Sequence, residues 1–301
     1  PPIEKNPKQS RRDESHSPNL AFFLGHGRLG GVLVYYAPQP SHAHARHPRS
    51  VAMISRDLLL VLALKDIKVR YRNTLFGLLW AAAAPIVYAG IYGAAFGLLG
   101  VKRPVAGWAG FLVGVAAWQW TAGTISAAPT LYLRNLSLLQ RMPPRWGYHA
   151  AATVLCESAI LLAILPVAAA LSLTEGAPAS FSALVSFPLL AVAQTAALTG
   201  WASAAATTNL VLRDVERLTP PLITLLFFFT PVAFSSEHFP PAYRTWLLLN
   251  PAAVFVEGWR AAFVGTLSGP LIAAALLHAA LGLLLTAVLK RFFWPRLAEF
   301  A

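Results

Sequence analysis

Six times along this chain, a run of about 20 residues passes almost without a charged side chain, the length a helix needs to cross the roughly 30 Å hydrocarbon core of a bilayer. The runs cover about residues 75–99, 108–132, 149–172, 182–205, 218–235 and 270–289. Of all residues 56% are hydrophobic and only 12% are charged, with a mean hydropathy of +0.57, where an ordinary soluble domain carries about 25% charge. That balance excludes a soluble enzyme, a secreted disulfide scaffold and a disordered chain. The one cysteine, Cys156, lies in an apolar run and has no second thiol to pair with. The expected fold is an all-α membrane protein with six transmembrane helices. Pro85, Pro129, Pro166 and Pro188 fall inside these runs and predict kinks whose freed carbonyls neighbouring helices must satisfy.

Two segments do not fit a simple crossing. Residues 51–72 place Leu58, Val61, Leu62, Leu64 and Ile67 at three- and four-residue spacing among Arg56, Lys65, Asp66, Lys68, Arg70 and Arg72. This is the pattern of an amphipathic helix lying in a membrane surface. It would serve as a contact for a cytoplasmic partner or as a plain juxtamembrane anchor. NPAAVFVEGWRAAFVG, residues 250–265, is apolar but short and carries Glu257 and Arg260, which fits a re-entrant or interfacial hairpin between the fifth and sixth spans. Residues 1–50 are rich in Pro, Ser, Gly, His and Arg, and their one apolar patch (21–37) contains His26 and Arg28. We expect a poorly ordered extension there, ahead of one transmembrane domain over 51–301. The spacing of His42, His44 and His47 suits no standard metal site.

The formal net charge of +12 would suggest nucleic acid in a soluble protein. In a membrane protein the distribution matters more than the sum. Residues 51–74 carry five Lys or Arg, 133–148 three, 206–217 two and 290–301 three, against two in 100–107, none in 173–181 and two in 236–269. The positive-inside bias puts both termini in the cytoplasm, as an even number of spans also requires.

A search for catalytic motifs finds nothing. There is no GxxxxGK[ST] loop, HExxH, GxSxG or paired acidic motif. Glu157 is the only acidic residue well inside a span, open to a functional role or to a hydrogen bond with a neighbouring helix. His278 reads as a packing residue. Tyr88, Tyr92 and Phe96 stand at i, i+4 and i+8, with Trp80 two turns earlier on the same side. Such a stripe can line a path for sugar rings, whose C–H faces pack on π surfaces. It can equally be helix packing with an interfacial aromatic belt.

These residues resemble a known family. KDIKVRYRNTLFGLLWAAAAPI (65–86) is similar to the entry signature of type-2 ABC exporter permeases for polysaccharides such as O-antigen, capsule or teichoic acid: a charged amphipathic helix, then R-Y-R, then G-x-L-W. Residues 213–265 resemble the same family's R-D stretch, the aromatic S/T-P-V-x-[FY] end of its fifth span and its L-N-P…E-x-[YW]-R segment. The likeness runs over about 52–295. One departure is Ala84 before Pro85, where the family usually has Asn.

The resemblance implies a permease subunit of an ATP-driven exporter of a lipid-linked polysaccharide in the bacterial cytoplasmic (inner) membrane. It would be a homodimer paired with two ATP-binding cassette subunits that hold ATP and Mg, with no cofactor in this chain, no metal, no catalytic residue and no nucleic acid partner. By resemblance Lys65, Asp66, Lys68, Arg70, Arg72, Arg213 and Asp214 couple to the ATPase, and Glu257 and Arg260 belong to an outer gate, or form a purely structural pair; the stripe of Trp80, Tyr88, Tyr92 and Phe96, read from its spacing, would line the substrate channel. Arg134, Arg141 and Arg145 could meet a lipid-borne phosphate in bidentate fashion, or serve topology alone. The alternatives are an ABC exporter of a lipid or small drug, an integral-membrane polyprenyl-phosphate enzyme, and a proton-coupled transporter. The enzyme would need an acidic or His cluster at one membrane face, and the transporter several intramembrane ionisable groups and an internal repeat. None of these is found.

Overall fold

The computed structural model describes residues 48–70, 72–74, 77, 79–98, 106–141, 146–176, 179–232, 234, 236 and 239–297, with backbone alone at 48–56, 96, 140, 141 and 297. The chain divides into Pro1–Arg46 and His47–Ala301, and every described residue belongs to the second unit. The expectation of a poorly ordered extension therefore falls outside the described residues, except for Pro48–Ser50, which begin the first helix.

Every regular element among the described residues is helical. In order they are α1 (Pro48–Arg70), α2 (Leu79–Leu98), α3 (Gly107–Ala127), α4 (Leu131–Arg134), α5 (Leu136–Arg141), α6 (Trp146–Thr174), α7 (Ala183–Val211), α8 (Asp214–Phe228), α9 (Pro241–Leu247), α10 (Pro251–Val264), α11 (Gly269–Phe292) and α12 (Trp294–Leu297). Three of them, Trp146–Thr174, Ala183–Val211 and Gly269–Arg296, are long and apolar enough to cross a membrane; the pair α9–α10, bent by 95°, makes a fourth if counted as one span.

The difference from six uniform runs has local causes. The run at 75–99 folds as α2, whose apolar stretch is the shorter Leu79–Ala95. The run at 108–132 breaks at Pro129 into α3 and α4: Ala128 keeps helical backbone (φ −61°, ψ −48°), but Pro129 has no N–H with which to continue the helical ladder. Within α3 the sequence Trp118–Gln119–Trp120–Thr121 dilutes the hydrophobicity. The run at 218–235 starts earlier, at Asp214, because Asp214 and Glu216 favour a helix N-terminus. It ends at Phe228, ahead of Pro231.

The core gathers on α3. Residues Ala109 to Trp118 are buried without interruption, as a helix apolar on all sides must be. α6, α7 and α10 surround it with Leu161, Ile164, Leu190, Ala197, Phe255 and Trp259. A buried network crosses this core: the Trp259 indole N–H donates to Gln194 Oε1 at 2.7 Å, and Gln194 Nε2 donates to Thr121 Oγ1 at 3.1 Å. α7 and α11 approach through glycine. A Cβ on Gly200 would run into the Gly282 backbone, and one on Gly282 would come within 2.5 Å of the Ala196 carbonyl. The entry to α3 is stabilised from α6's end. Ala106 and Gly107 take left-handed backbone (φ 63° and 71°), and the Glu175 carboxylate accepts the N–H groups of Trp108 (2.8 Å) and Ala109 (3.3 Å), which would otherwise lack partners.

Helix α1 packs on α6 through part of its apolar stripe. Leu62 and Ala63 are buried against Ala152 of α6, flanked by Leu58 and Leu59. Val61 and Leu64 of the same stripe are exposed. An ion pair also joins the two helices: Arg70 donates to both carboxylate oxygens of Glu157, through Nη1 at 2.6 Å and through Nη2 in a second, closer contact.

Candidate functional site

Three groups of residues carry polar or aromatic chemistry that core packing does not use up. The first is a cleft of about 470 Å³ between α2, α3 and α8. Tyr88 and Tyr92, one helical turn apart, stack at 6.3 Å, and Tyr92 lies nearly parallel to Phe227 at 5.6 Å. Phe227 in turn meets the edge of Trp118 at 5.5 Å. Gln119, Ser126 and Thr224 add polar groups to the wall. The Thr224 hydroxyl is spent on the Pro220 carbonyl at 3.1 Å, whereas the buried Gln119 Nε2 has no hydrogen-bond partner. Flat apolar ring faces beside an uncommitted amide donor suit a ligand with alternating C–H faces and hydroxyls.

Of the four channel residues read from the sequence, Tyr88 and Tyr92 line this cleft and Trp80 does not. Trp80 is half-exposed on α2, and the Phe96 side chain lies outside the described residues. Trp118, Gln119, Phe227 and Phe228 were missed. Their types were visible in the sequence, but α3 is apolar on all sides and carries no periodic mark of which side faces a cleft, and the face that α8 turns to α2 is set by tertiary packing.

The second group surrounds a cleft of about 380 Å³ where α1, α4 and α6 meet, lined by Lys65, Asp66, Arg70, Arg134, Asn135 and Thr153. Burial raises the Asp66 carboxyl above its ordinary range, against the opposing pull of Lys65, Arg134 and Arg70. Arg70 of this lining, 37% exposed, is paired to Glu157, whose side chain is 3% exposed. Gly123 leaves the space: a Cβ there would lie 2.5 Å from Glu157 Oε2. Arg70, grouped by sequence with the ATPase-coupling residues, thus turns into the bundle. Lys68 and Arg72 are exposed, as are Arg213 and Asp214 at the α7–α8 junction. Of the three arginines considered for a phosphate, Arg134 enters this cleft. The side chain of Arg141 and all of Arg145 lie outside the described residues.

The third group is Arg260 on α10. Its guanidinium is buried and donates through Nη2 to the carbonyls of Val232 (2.8 Å) and Pro231 (3.2 Å), so it is held by the chain after α8 and not by pairing with Glu257. Gly114 makes room, since a Cβ there would sit 2.7 Å from Nη2. Asn250 works beside it. Its Oδ1 caps α10 by accepting from Ala252 and Ala253, while its Nδ2 reaches the Phe229 carbonyl at 3.1 Å and Thr230 Oγ1 at 3.2 Å. This gives the L-N-P segment a physical reason: asparagine caps the helix that proline begins. Among the described residues, no three His, Cys, Asp or Glu side chains gather as a metal site.

The ABC-2 type transporter family matches residues 57–264, which include all three groups. The chain belongs to that family. It is similar to the O-antigen export system permease protein RfbA of Klebsiella pneumoniae, 30% identical over 209 residues that cover 69% of this chain and 80% of the relative. A second protein of the same name and organism is 30% identical over 214 residues, covering 70% and 82%. RfbA of Myxococcus xanthus is 24% identical over 211 residues, covering 69% and 80%. These relatives are permeases and not enzymes, and this ABC-2 chain is likewise a membrane transport subunit.

Proposed function

We propose that this ABC-2 chain is the permease of an exporter that carries a lipid-linked polysaccharide across the bacterial inner membrane, driven by ATP and Mg bound in separate cassette subunits. Two copies form the pore. Six spans (α2, α3 with α4, α6, α7, α8 and α11), with both termini cytoplasmic and α9–α10 as an outer re-entrant hairpin, agree with the distribution of Lys and Arg. α1, Arg213 and Asp214 then face the ATPase, and Arg134 stands where a carrier phosphate would enter. Glu257 and Arg260 lie on the outer hairpin.

The observation that carries the reading is the aromatic cleft with its free Gln119 donor. Ring faces beside an uncommitted amide donor suit the C–H faces and hydroxyls of sugar rings better than an alkyl chain. Each ring contact contributes about 0.5–1.5 kcal/mol, so removing three predicts at least about a tenfold loss.

The test is ATP-dependent movement of a lipid-linked glycan into vesicles holding the permease with its cassette subunit. Wild type should move it, and the combined Tyr88→Ala, Tyr92→Ala and Trp118→Ala variant should move about tenfold less at equal protein. A wild-type complex that hydrolyses ATP and moves phospholipid but no glycan refutes the proposal.

A further inference from the structure

Asn209 is fully buried, two residues before the end of α7. Asparagine is a poor helix former because its short amide competes with the backbone for hydrogen bonds, and here the side chain serves other elements. Its Oδ1 accepts the Glu216 N–H at 3.1 Å, and its Nδ2 donates to the Pro129 carbonyl at 2.9 Å. The Glu216 amide is one of the donors left open in the first turn of α8, where Arg213 at the N-cap position makes no side-chain capping bond. Asn209 therefore caps α8 from outside. The Pro129 carbonyl belongs to the break between α3 and α4, directly ahead of the short helix that carries Arg134 into the polar cleft.

One planar amide thus joins two segments remote from each other in sequence. Hydrogen bonds of 2.9 and 3.1 Å tolerate only a few tenths of an ångström before weakening, so neither segment moves alone without breaking a bond. Core packing does not hold the base of α8 instead, since Thr219 is the one buried residue of that helix. Its hydroxyl bonds back to Val215 of the same helix. At the junction itself Arg213 and Asp214 are exposed.

We propose that Asn209 is a positioning residue for transport. It links the exposed α7–α8 junction to the turn that sets Arg134, so that a displacement imposed at Arg213 and Asp214 is passed to the polar cleft. Its transport readout rests on the exporter reading above; its mechanical readout does not.

The test uses the permease assembled with its cassette subunit. Hydrogen exchange is followed at 214–218 and at 131–135, with and without ATP, for wild type, Asn209→Asp and Asn209→Leu. In wild type, ATP should shift exchange in both segments together. In the variants 214–218 should still respond while 131–135 does not, and ATP hydrolysis should persist while glycan movement falls about tenfold or more. Asn209→Asp keeps size and acceptor, and the wild-type measurement decides the linkage if neither variant assembles. A 131–135 segment that answers ATP normally in the variants, or hydrolysis and transport that fall together in proportion to recovered protein, overturns the inference. A wild type that shows the coupled exchange but moves no glycan sinks the exporter reading and supports the linkage. A wild type that moves glycan while only one segment responds does the reverse.

Discussion

Removing one partner of the Arg70–Glu157 pair should cost much more than removing both. The carboxylate is 3% exposed and receives two charge-assisted bonds from a guanidinium that is 37% exposed. Breaking a buried pair costs about 3–5 kcal/mol, because the remaining charge is stranded. Water reaching the Arg70 side lowers this to about 2–3 kcal/mol for Arg70→Met. Glu157→Gln keeps the shape and one acceptor but turns an amide donor toward the other Arg70 N–H, so one bond and the charge assistance are lost, about 1.5–3 kcal/mol. In the Arg70→Met, Glu157→Leu double variant no charge is stranded, and its cost should fall below that of Arg70→Met alone. Thermal unfolding of the permease in nanodiscs reads this directly. At roughly 2–4 °C per kcal/mol for a chain of this size, Arg70→Met should lower the midpoint by about 5–10 °C and the double variant should recover part of it. Strict additivity, or an Arg70→Met midpoint equal to wild type, would refute the claim that this pair fixes α1 on α6.

The remaining expectations concern other joints. Gly200→Val forces a branched side chain into the Gly282 backbone; such overpacking costs roughly 1–3 kcal/mol or more, and little folded protein should be recovered by gel filtration. Glu175→Ala removes the acceptor for Trp108 and Ala109 N–H and should lower the unfolding midpoint by a few degrees, about 1 kcal/mol, with Glu175→Gln intermediate. Asp66 has a folded pKa raised by burial, so its contribution to stability is fully present below the ordinary carboxylate pKa and lost as pH rises through the raised value. Asp66→Asn should therefore gain stability relative to wild type as pH rises above the ordinary carboxylate pKa of about 4, and a midpoint difference that is flat or narrows with rising pH would contradict the assignment.

What could be read from the sequence was what is local. Apolar length located α6, α7 and α11 to within a few residues of where they lie, and the Asn250–Pro251 start of α10 was visible as a change of pattern. Facing was not local. The apolar stripe of α1 was visible, but not that Leu62 and Ala63 would meet Ala152 of α6 while Val61 and Leu64 stay exposed. Glu157 itself was legible as an anomaly, but its partner is 87 residues away. Asn209 gave no signal at all, because a lone asparagine near a helix end looks the same whether it caps, bridges or faces water.

The joints also differ in kind, and this bears on where motion is cheap. α3, α6, α7, α10 and α11 meet through small residues, buried rings and the Trp259–Gln194–Thr121 network, contacts that are lost all at once when opened. α2 and α8 are attached differently. α2 buries Ala81 and Pro85, and α8 buries Thr219, while Leu79, Val87, Ile91, Leu218, Leu222, Leu225 and Phe228 stay exposed. Elements with few buried contacts sit at the low end of local stability. The aromatic cleft lies between these two loosely held helices and the firmly held α3. Widening it would slide Phe227 away from Tyr92 and Trp118 while the core stays closed. The asparagines at the two ends of α8, Asn209 and Asn250, then decide how far that helix can go, because each has hydrogen bonds to lose that no rearrangement of apolar side chains can replace.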